Sequence, residues 1–80
     1  MYLEIITPEK KVFEGEVRII QLPGSLGSFE IMNNHAPIIS TLMEGTIKIV
    51  DNSNAETFFE ISGGVVESTD NKIIVLVEAG

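Results

Sequence analysis

The side chains able to do chemistry are few. The 80-residue chain has one histidine, His35, no cysteine, and twelve acidic residues of which only Asp51 and Asp70 are aspartates. A nucleophilic triad would need His35 beside a serine and a carboxylate, and no nucleophile-elbow pattern offers that serine. Metal ligands are equally scarce, since neither aspartate sits in a calcium-loop pattern and there is no second histidine. No Gly-x-x-x-x-Gly-Lys-Ser/Thr loop is present to cradle a phosphate. Glu14, Glu16, Glu60 and Glu67 could be paired on paper as acid and base, but glutamates alternating with apolar residues are the usual solvated face of a strand. The expectation is a chain with no catalytic residue, no metal site and no cofactor.

Charge narrows the partners. Twelve acidic against five basic residues leave a net charge of −7, a field that repels nucleic acid and anionic lipid surfaces. Gly24-Ser25-Leu26-Gly27 has the outline of a Gly-x-x-Gly loop, but the basic surroundings that RNA binding requires are missing. The excess either keeps a small protein soluble or steers it toward a basic protein. Eighty residues make one domain, 1–80, with a single thin core. No apolar run approaches the roughly 18–20 residues of a membrane-spanning helix, and the absence of cysteine suits a reducing compartment.

The elements that would position any site read as strands. Met1 to Thr7 is ended by Pro8, and Val12 to Leu22 alternates at Val17 and Ile19, with Gly15 as an expected bulge or bend. Phe29-Glu30-Ile31 forms a short strand, Asn33-Asn34 a turn, and Ile38 to Leu42 the next strand. Thr46 to Val50 and Glu56 to Ile61 flank the polar hairpin loop Asp51 to Asn54. Gly63-Gly64 marks a corner or a close backbone approach. Val65 to Ser68 pairs with Lys72 to Val77 around Thr69-Asp70-Asn71. Ile73 to Val77 is apolar on both faces, which places it centrally, with one face on the core and the other available to a partner. With no helical periodicity over ten or more residues, the pattern predicts an all-β, flattened antiparallel sandwich or barrel.

One stretch breaks the plain pattern. Pro23 to Ile39 holds two of the three prolines, two of the seven glycines and His35. It is either a structured loop whose Gly and Pro satisfy backbone geometry or a contact surface on a rigid scaffold. Leu26, Phe29, Ile31 and Met32 are apolar residues in a Gly/Asn-rich setting, difficult to bury together in so small a domain, and grouped exposed apolar residues mark a partner site. For His35 the alternatives are a neutral imidazole bonded within the loop and a pH-sensitive group.

Gly24-Ser-Leu-Gly-Ser-Phe-Glu-Ile-Met-Asn-Asn-His-Ala-Pro-Ile-Ile39 resembles the Gly-Ser-x-Gly-x-Leu-Gly-Ile-x-x-x-His-Ala-Pro-Leu-Leu segment of the epsilon subunit of F-type ATP synthases. Thr7-Pro-Glu-Lys-Lys-Val-Phe-Glu-Gly15 is similar to that family's first-strand exit with its Phe-x-Gly. Glu44-Gly-Thr-Ile-Lys-Ile-Val50 is similar to its Pro-Gly-x-Ile-x-Ile strand, and Ile61-Ser-Gly-Gly-Val-Val-Glu67 to its Ser-Gly-Gly-x-x-Glu. The matches run in order along essentially the whole chain. Ser28 stands for the usual Glu, Phe29 for Leu and Glu30 for Gly, which moves the expected carboxylate by two residues. Asn33-Asn34 replace Pro-Gly and keep turn chemistry.

The resemblance implies a flattened β-sandwich of about ten short strands in the central stalk, a non-catalytic rotor part that couples proton translocation to ATP synthesis. It implies that Thr7, His35, Ala36, Pro37 and Ser40 face the γ subunit, and that Gly24, Ser25, Leu26, Gly27, Ser28, Phe29 and Glu30 form a loop toward the c-ring. The location implied is peripheral, on the cytoplasmic face of the bacterial plasma membrane. Family members commonly continue into two inhibitory C-terminal helices, some binding ATP. Nothing in these 80 residues supports those activities. Two other classes compete, a free-standing β-barrel that binds a ligand or catalyses, and a purely self-associating structural domain.

Overall fold

Eight strands account for nearly the whole chain in the computed structural model, which describes residues 1–79. Gly80, included in the single domain expected from the sequence, lies outside the described residues. The strands are β1 Tyr2–Ile6, β2 Lys11–Glu16, β3 Ile19–Gly24, β4 Gly27–Met32, β5 Ile38–Leu42, β6 Gly45–Val50, β7 Glu56–Thr69 and β8 Lys72–Ala79. The order β2-β1-β8-β7-β5-β3-β4 runs through one hydrogen-bonded path, with β6 joining β3 to β7. The path doubles back on itself, so one layer holds β2, β1, β8, the second half of β7, and β5. The other holds the first half of β7, β6, β3 and β4.

β7 accounts for one of the strands by which the eight seen fall short of the about ten expected. Its first half pairs with β6 from Glu56 to Ile61, and its second half pairs with β5 from Gly64 onward and with β8 from Ile61 onward. The register shifts between Ile61 and Gly63, a bulge that bends the strand from one layer into the other without ending it. The Gly63-Gly64 corner is therefore a bend within one 14-residue strand. Gly64 fits there because a Cβ would lie 2.2 Å from the Leu76 carbonyl oxygen.

Two further expectations are corrected. Gly15 makes no bulge, since it pairs in register with Leu3, and the irregularity falls where β1 passes from Ile5 to Ile6 opposite Phe13 and Lys11. Val12 to Leu22 is also two strands, because the chain turns at Val17-Arg18 from pairing β1 to pairing β6. There the Val17 N–H reaches the Met1 carbonyl (2.9 Å) and the Arg18 N–H the Val50 carbonyl (2.8 Å).

The inward faces of the two layers supply the core. Leu3, Ile5, Ile73, Val75 and Val66 from one layer meet Ile20, Leu22, Ile31, Ile47 and Ile49 from the other, all essentially buried. Phe13 and Phe59 meet edge to face across the layers at 6.2 Å, the arrangement that aromatic quadrupoles favour. β8 lies between β1 and β7, the central position its two-sided apolar sequence predicts. Its pairing with β1 is parallel, the one parallel pair among the described residues.

Candidate functional site

Pro23 and Gly24 do not stop β3 but carry it into a tight hairpin with β4, in which Gly24 pairs with Gly27 across Ser25-Leu26. Gly24 is required there: a Cβ would lie 2.7 Å from both the Gly27 carbonyl oxygen and the Phe29 ring. Gly27 carries the positive φ of the turn, +129°, a conformation open to glycine. The hairpin is tied to the neighbouring layer. Ser25 N–H donates to the Thr41 carbonyl (3.3 Å) and Met43 N–H to the Pro23 carbonyl (2.9 Å), while the Ser25 and Thr41 hydroxyls lie 2.8 Å apart. Leu26 at the tip is wholly exposed (104%) and Met43 beside it half exposed.

The rest of the loop proposed for ring contact is spread along β4. Ser28 and Glu30 occupy its outer face opposite Pro23 and Gln21, and the Gln21 amide donates to the Ser28 hydroxyl (3.2 Å). Glu30 is thus set back from the tip. Of the four apolar residues expected at the surface, Leu26 and Met32 are exposed, whereas Ile31 is fully buried and Phe29 packs partly against the core. Strand alternation sends 29 and 31 inward, which the Gly/Asn setting conceals.

The other end of β4 leads to the histidine. Met32 to His35 form a turn closed by His35 N–H to the Met32 carbonyl (3.2 Å), with Asn34 at φ +63°, as the third position of a type II turn demands. The Asn71 side-chain oxygen accepts from Asn34 N–H (2.8 Å), and the Asn33 side-chain oxygen accepts from the Met1 ammonium (2.6 Å). His35, Ala36 and Pro37 are all exposed. The His35 Nδ1 donates to the Ala36 carbonyl (2.7 Å). Since β4 has six residues, roughly 20 Å separates this turn from the hairpin tip at strand rise.

Ser40 and Thr7 are placed differently. Ser40 pairs with buried Val66 on the half-buried side of β5, and its hydroxyl donates to the Thr41 carbonyl (3.1 Å). The residues of β5 that face outward are Thr41, opposite Val65, and Ile39, opposite Glu67 and 77% exposed. Thr7 organises the β1–β2 loop: its hydroxyl donates to the Lys10 carbonyl (3.0 Å) and accepts from the Lys10 N–H (3.1 Å).

What the structure assembles around these positions is an apolar strip on the outer face of the β1-β8-β7-β5 layer. Register places Ile6 beside Leu76, Leu76 beside Val65, and Val65 beside Thr41, with Ile74 and Ile39 flanking Glu67. Leu76 and Val65 are 49% and 40% exposed. Four depressions open to solvent lie along it: one of about 550 Å³ bounded by Ile6, Thr7, Gly64, Val65, Leu76 and Glu78, a small one between Ile39 and Leu76, one of about 420 Å³ between the hairpin tip and Ile39-Ser40-Thr41, and one of about 470 Å³ bounded by Pro37, Ile39 and Glu67. The two-sided apolarity of β8 pointed to this face. Ile39 and Val65 were not singled out, because nothing local says that β5 and β7 flank β8.

Toward β2 the same face turns polar. The Tyr2 hydroxyl donates to Glu14, and Lys11 bridges Glu4 (2.5 Å) and Glu14 (3.4 Å). Lys72 lies 5.8 Å above the Tyr2 ring. The Glu14 bond, with desolvation and the Glu14 charge behind it, pushes the Tyr2 hydroxyl up to about 12. Among the described residues Glu67 and Glu78 have no ion-pair partner, and no group of three or more His, Cys, Asp or Glu side chains could hold a metal ion.

Residues 1–80 match the family described as "ATP synthase, Delta/Epsilon chain, beta-sandwich domain". The chain is 41% identical over 76 residues to the ATP synthase epsilon chain of Chlorobium limicola, covering 95% of this chain and 86% of that one. It is 33% identical over 78 residues to the epsilon chain of Caulobacter vibrioides, covering 98% of this chain and 90% of that one. Among solved structures, a chain of the Tetrahymena thermophila mitochondrial ATP synthase central stalk and c-ring superposes with a TM-score of 0.79 at 26% identity, covering 98% of this chain. A chain of the Euglena gracilis mitochondrial ATP synthase shares the fold with a TM-score of 0.88 at 17% identity, covering 94% of this chain. The chain spans 63% of the first of these structures and 48% of the second. With the family matched from end to end, this chain belongs to the delta/epsilon chains of ATP synthase, as their β-sandwich domain.

Proposed function

We propose that this chain is a non-catalytic central-stalk subunit of an F-type ATP synthase. It docks on the γ subunit through the apolar outer face of β8, β7 and β5, and meets the c-ring loops with the β3–β4 hairpin. The observation that carries this reading is the strip from Ile6 through Leu76 and Val65 to Ile39 on a small, strongly acidic domain. Solvent-exposed apolar groups clustered on one sheet face mark a protein contact. His35, Ala36 and Pro37 would border that contact at one end and Thr7 at the other. Leu26 would reach the ring at the hairpin tip, about 20 Å from the histidine turn, so that one rigid body touches two partners. The place of work is then the cytoplasmic face of a bacterial plasma membrane, held there through the complex. Co-purification with the γ subunit of the same organism tests the proposal. The folded domain retains γ; a domain with intact β-sheet circular dichroism that captures none above background overturns it.

A further inference from the structure

Among the described residues four sheet edges are left without a neighbour along most of their length, and they are not alike. The outer side of β7 from Glu56 to Glu60 carries both of those glutamates. The β2 edge carries Lys11, Glu14 and Glu16, and the β4 edge carries Glu30, charges of the kind that keep an edge from pairing with another chain. β5, Ile38-Ile39-Ser40-Thr41-Leu42, carries none. It pairs with β7 along its length on one side but touches β3 on the other only where Leu42 meets Gly24. Because the Thr41 carbonyl accepts from Ser25, the main chain of Thr41 faces away from β7. By strand alternation the main chain of Ile39 faces the same way. There it meets open space instead of a strand. The 420 Å³ depression beside it is lined by Leu26, Phe29, Ile39, Ser40, Thr41 and Val65. Glu67, opposite Ile39, is a carboxylate without an ion-pair partner among the described residues.

We propose that the free edge of β5 accepts an extended, basic and apolar segment of the stalk partner as an added strand. Its main chain pairs with the N–H and C=O of Ile39, one apolar side chain enters the depression beneath the hairpin tip, and a Lys or Arg meets Glu67. Main-chain bonds would supply affinity and the alternate pockets specificity, as in other strand additions. The charge of the segment follows from the surface, where the charged residues lining the strip's depressions, Glu67 and Glu78, are both acidic. This inference rests on the docking proposed above, and adds how the docking is made.

Amide hydrogen exchange of the whole chain, free and with the γ subunit of the same organism, tests it. Exchange at Ile39 slows by about a hundredfold or more in the complex, as a newly bonded edge amide requires. Ile39→Pro removes the outward N–H without touching a bond to β7, and weakens γ binding by about tenfold or more. Ile39→Thr keeps the N–H and weakens binding about threefold or less, both variants melting within about 5 °C of the parent. Binding by the parent with no slowing at Ile39, or equal losses in the two variants, overturns the added strand and leaves the docking intact. No binding by the parent overturns both. Slowing at Ile39 that rises with the chain's own concentration and needs no γ makes the added strand a second copy, and overturns the proposal.

Discussion

Tyr2 is the only tyrosine and there is no tryptophan, so the ultraviolet titration of a phenol reports this one side chain. Its hydroxyl donates to the Glu14 carboxylate, and that bond first, then desolvation, then the Glu14 and Glu4 charges raise it from 10.0 to about 12, against a small opposing effect of Lys11. Glu14 is held below its usual 4.5, by the same bond first and then by Lys11. The signs follow by linkage. A raised folded value means that the Tyr2 contribution is complete below pH 10 and lost as the pH climbs from 10 toward 12. A depressed value means that the Glu14 contribution is present above pH 4.5 and lost on acidification. Absorbance at 295 nm should therefore show ionisation near 12, and Glu14→Gln should return it toward 10. A midpoint at 10 in the parent chain would rule out the bond in solution. Gly64, like Gly24, is a residue whose identity the geometry dictates. Alanine there would drive a methyl into the Leu76 carbonyl, an overpacking cost of about 2–3 kcal/mol. For a domain this small the melting temperature should drop by roughly 10 °C or more, measurable by circular dichroism.

Strands and turns were legible in the sequence because β structure writes its local signals plainly. The turn between β7 and β8 shows how far such signals reach. Asp70 and Asn71 have φ of +52° and +61°, the two left-handed positions of a type I′ hairpin turn, for which Asp and Asn are suited. Asn71 also holds Asn34 N–H at 2.8 Å, joining this hairpin to the histidine turn, and no local pattern announces that second task. Asn71→Gly keeps the left-handed backbone and loses the bond, for a net cost of about 1 kcal/mol or less. Asn71→Ala loses both, for about 2 kcal/mol. Urea unfolding of the two variants separates the contributions, and equal midpoints would mean that the Asn34 bond contributes alone. What was not legible is long-range. Period-2 alternation says which residues of β1 and β8 share a face, but not that these strands lie side by side and parallel. Nor could it show that β7 stays unbroken through Gly63-Gly64, since a bulge and a chain reversal use the same residues. Ile31 seemed exposed for the same reason: its neighbours read as loop, and only the pairing with Ile20 turns it inward. The candidate site followed this division. The hairpin tip and the histidine turn are local features that Gly, Pro and Asn mark in the sequence, whereas Ile39, Val65 and Leu76 come together only through register.

At the scale of the whole molecule, β8 divides one strand between two tasks. Ile73, Val75 and Val77 enter the core, while Ile74 and Leu76 on the other face stay partly in water. A structural face and a contact face respond differently to truncation, and that difference is measurable. Val75 has no exposed surface, so Val75→Ala leaves a cavity and costs about 2 kcal/mol of stability. Its effect on partner affinity should be small as long as the domain stays folded. Leu76 is 49% exposed, and Leu76→Gln changes little in the free domain, within about 0.5 kcal/mol. In a complex the same change places an amide in an apolar contact. A loss of about 1.4 kcal/mol or more of binding, tenfold in Kd, is expected there. Measured side by side, urea midpoints and γ affinity should therefore move in opposite patterns for the two variants. If Leu76→Gln leaves affinity unchanged, the outer face of β8 is not where the partner sits, and the apolar strip loses its role. If both variants lose affinity only in proportion to stability, the partner reads the fold as a whole instead of this face. The core truncation thus serves as the internal reference for the surface one, because both residues lie on a single strand with the same two neighbours, β1 and β7.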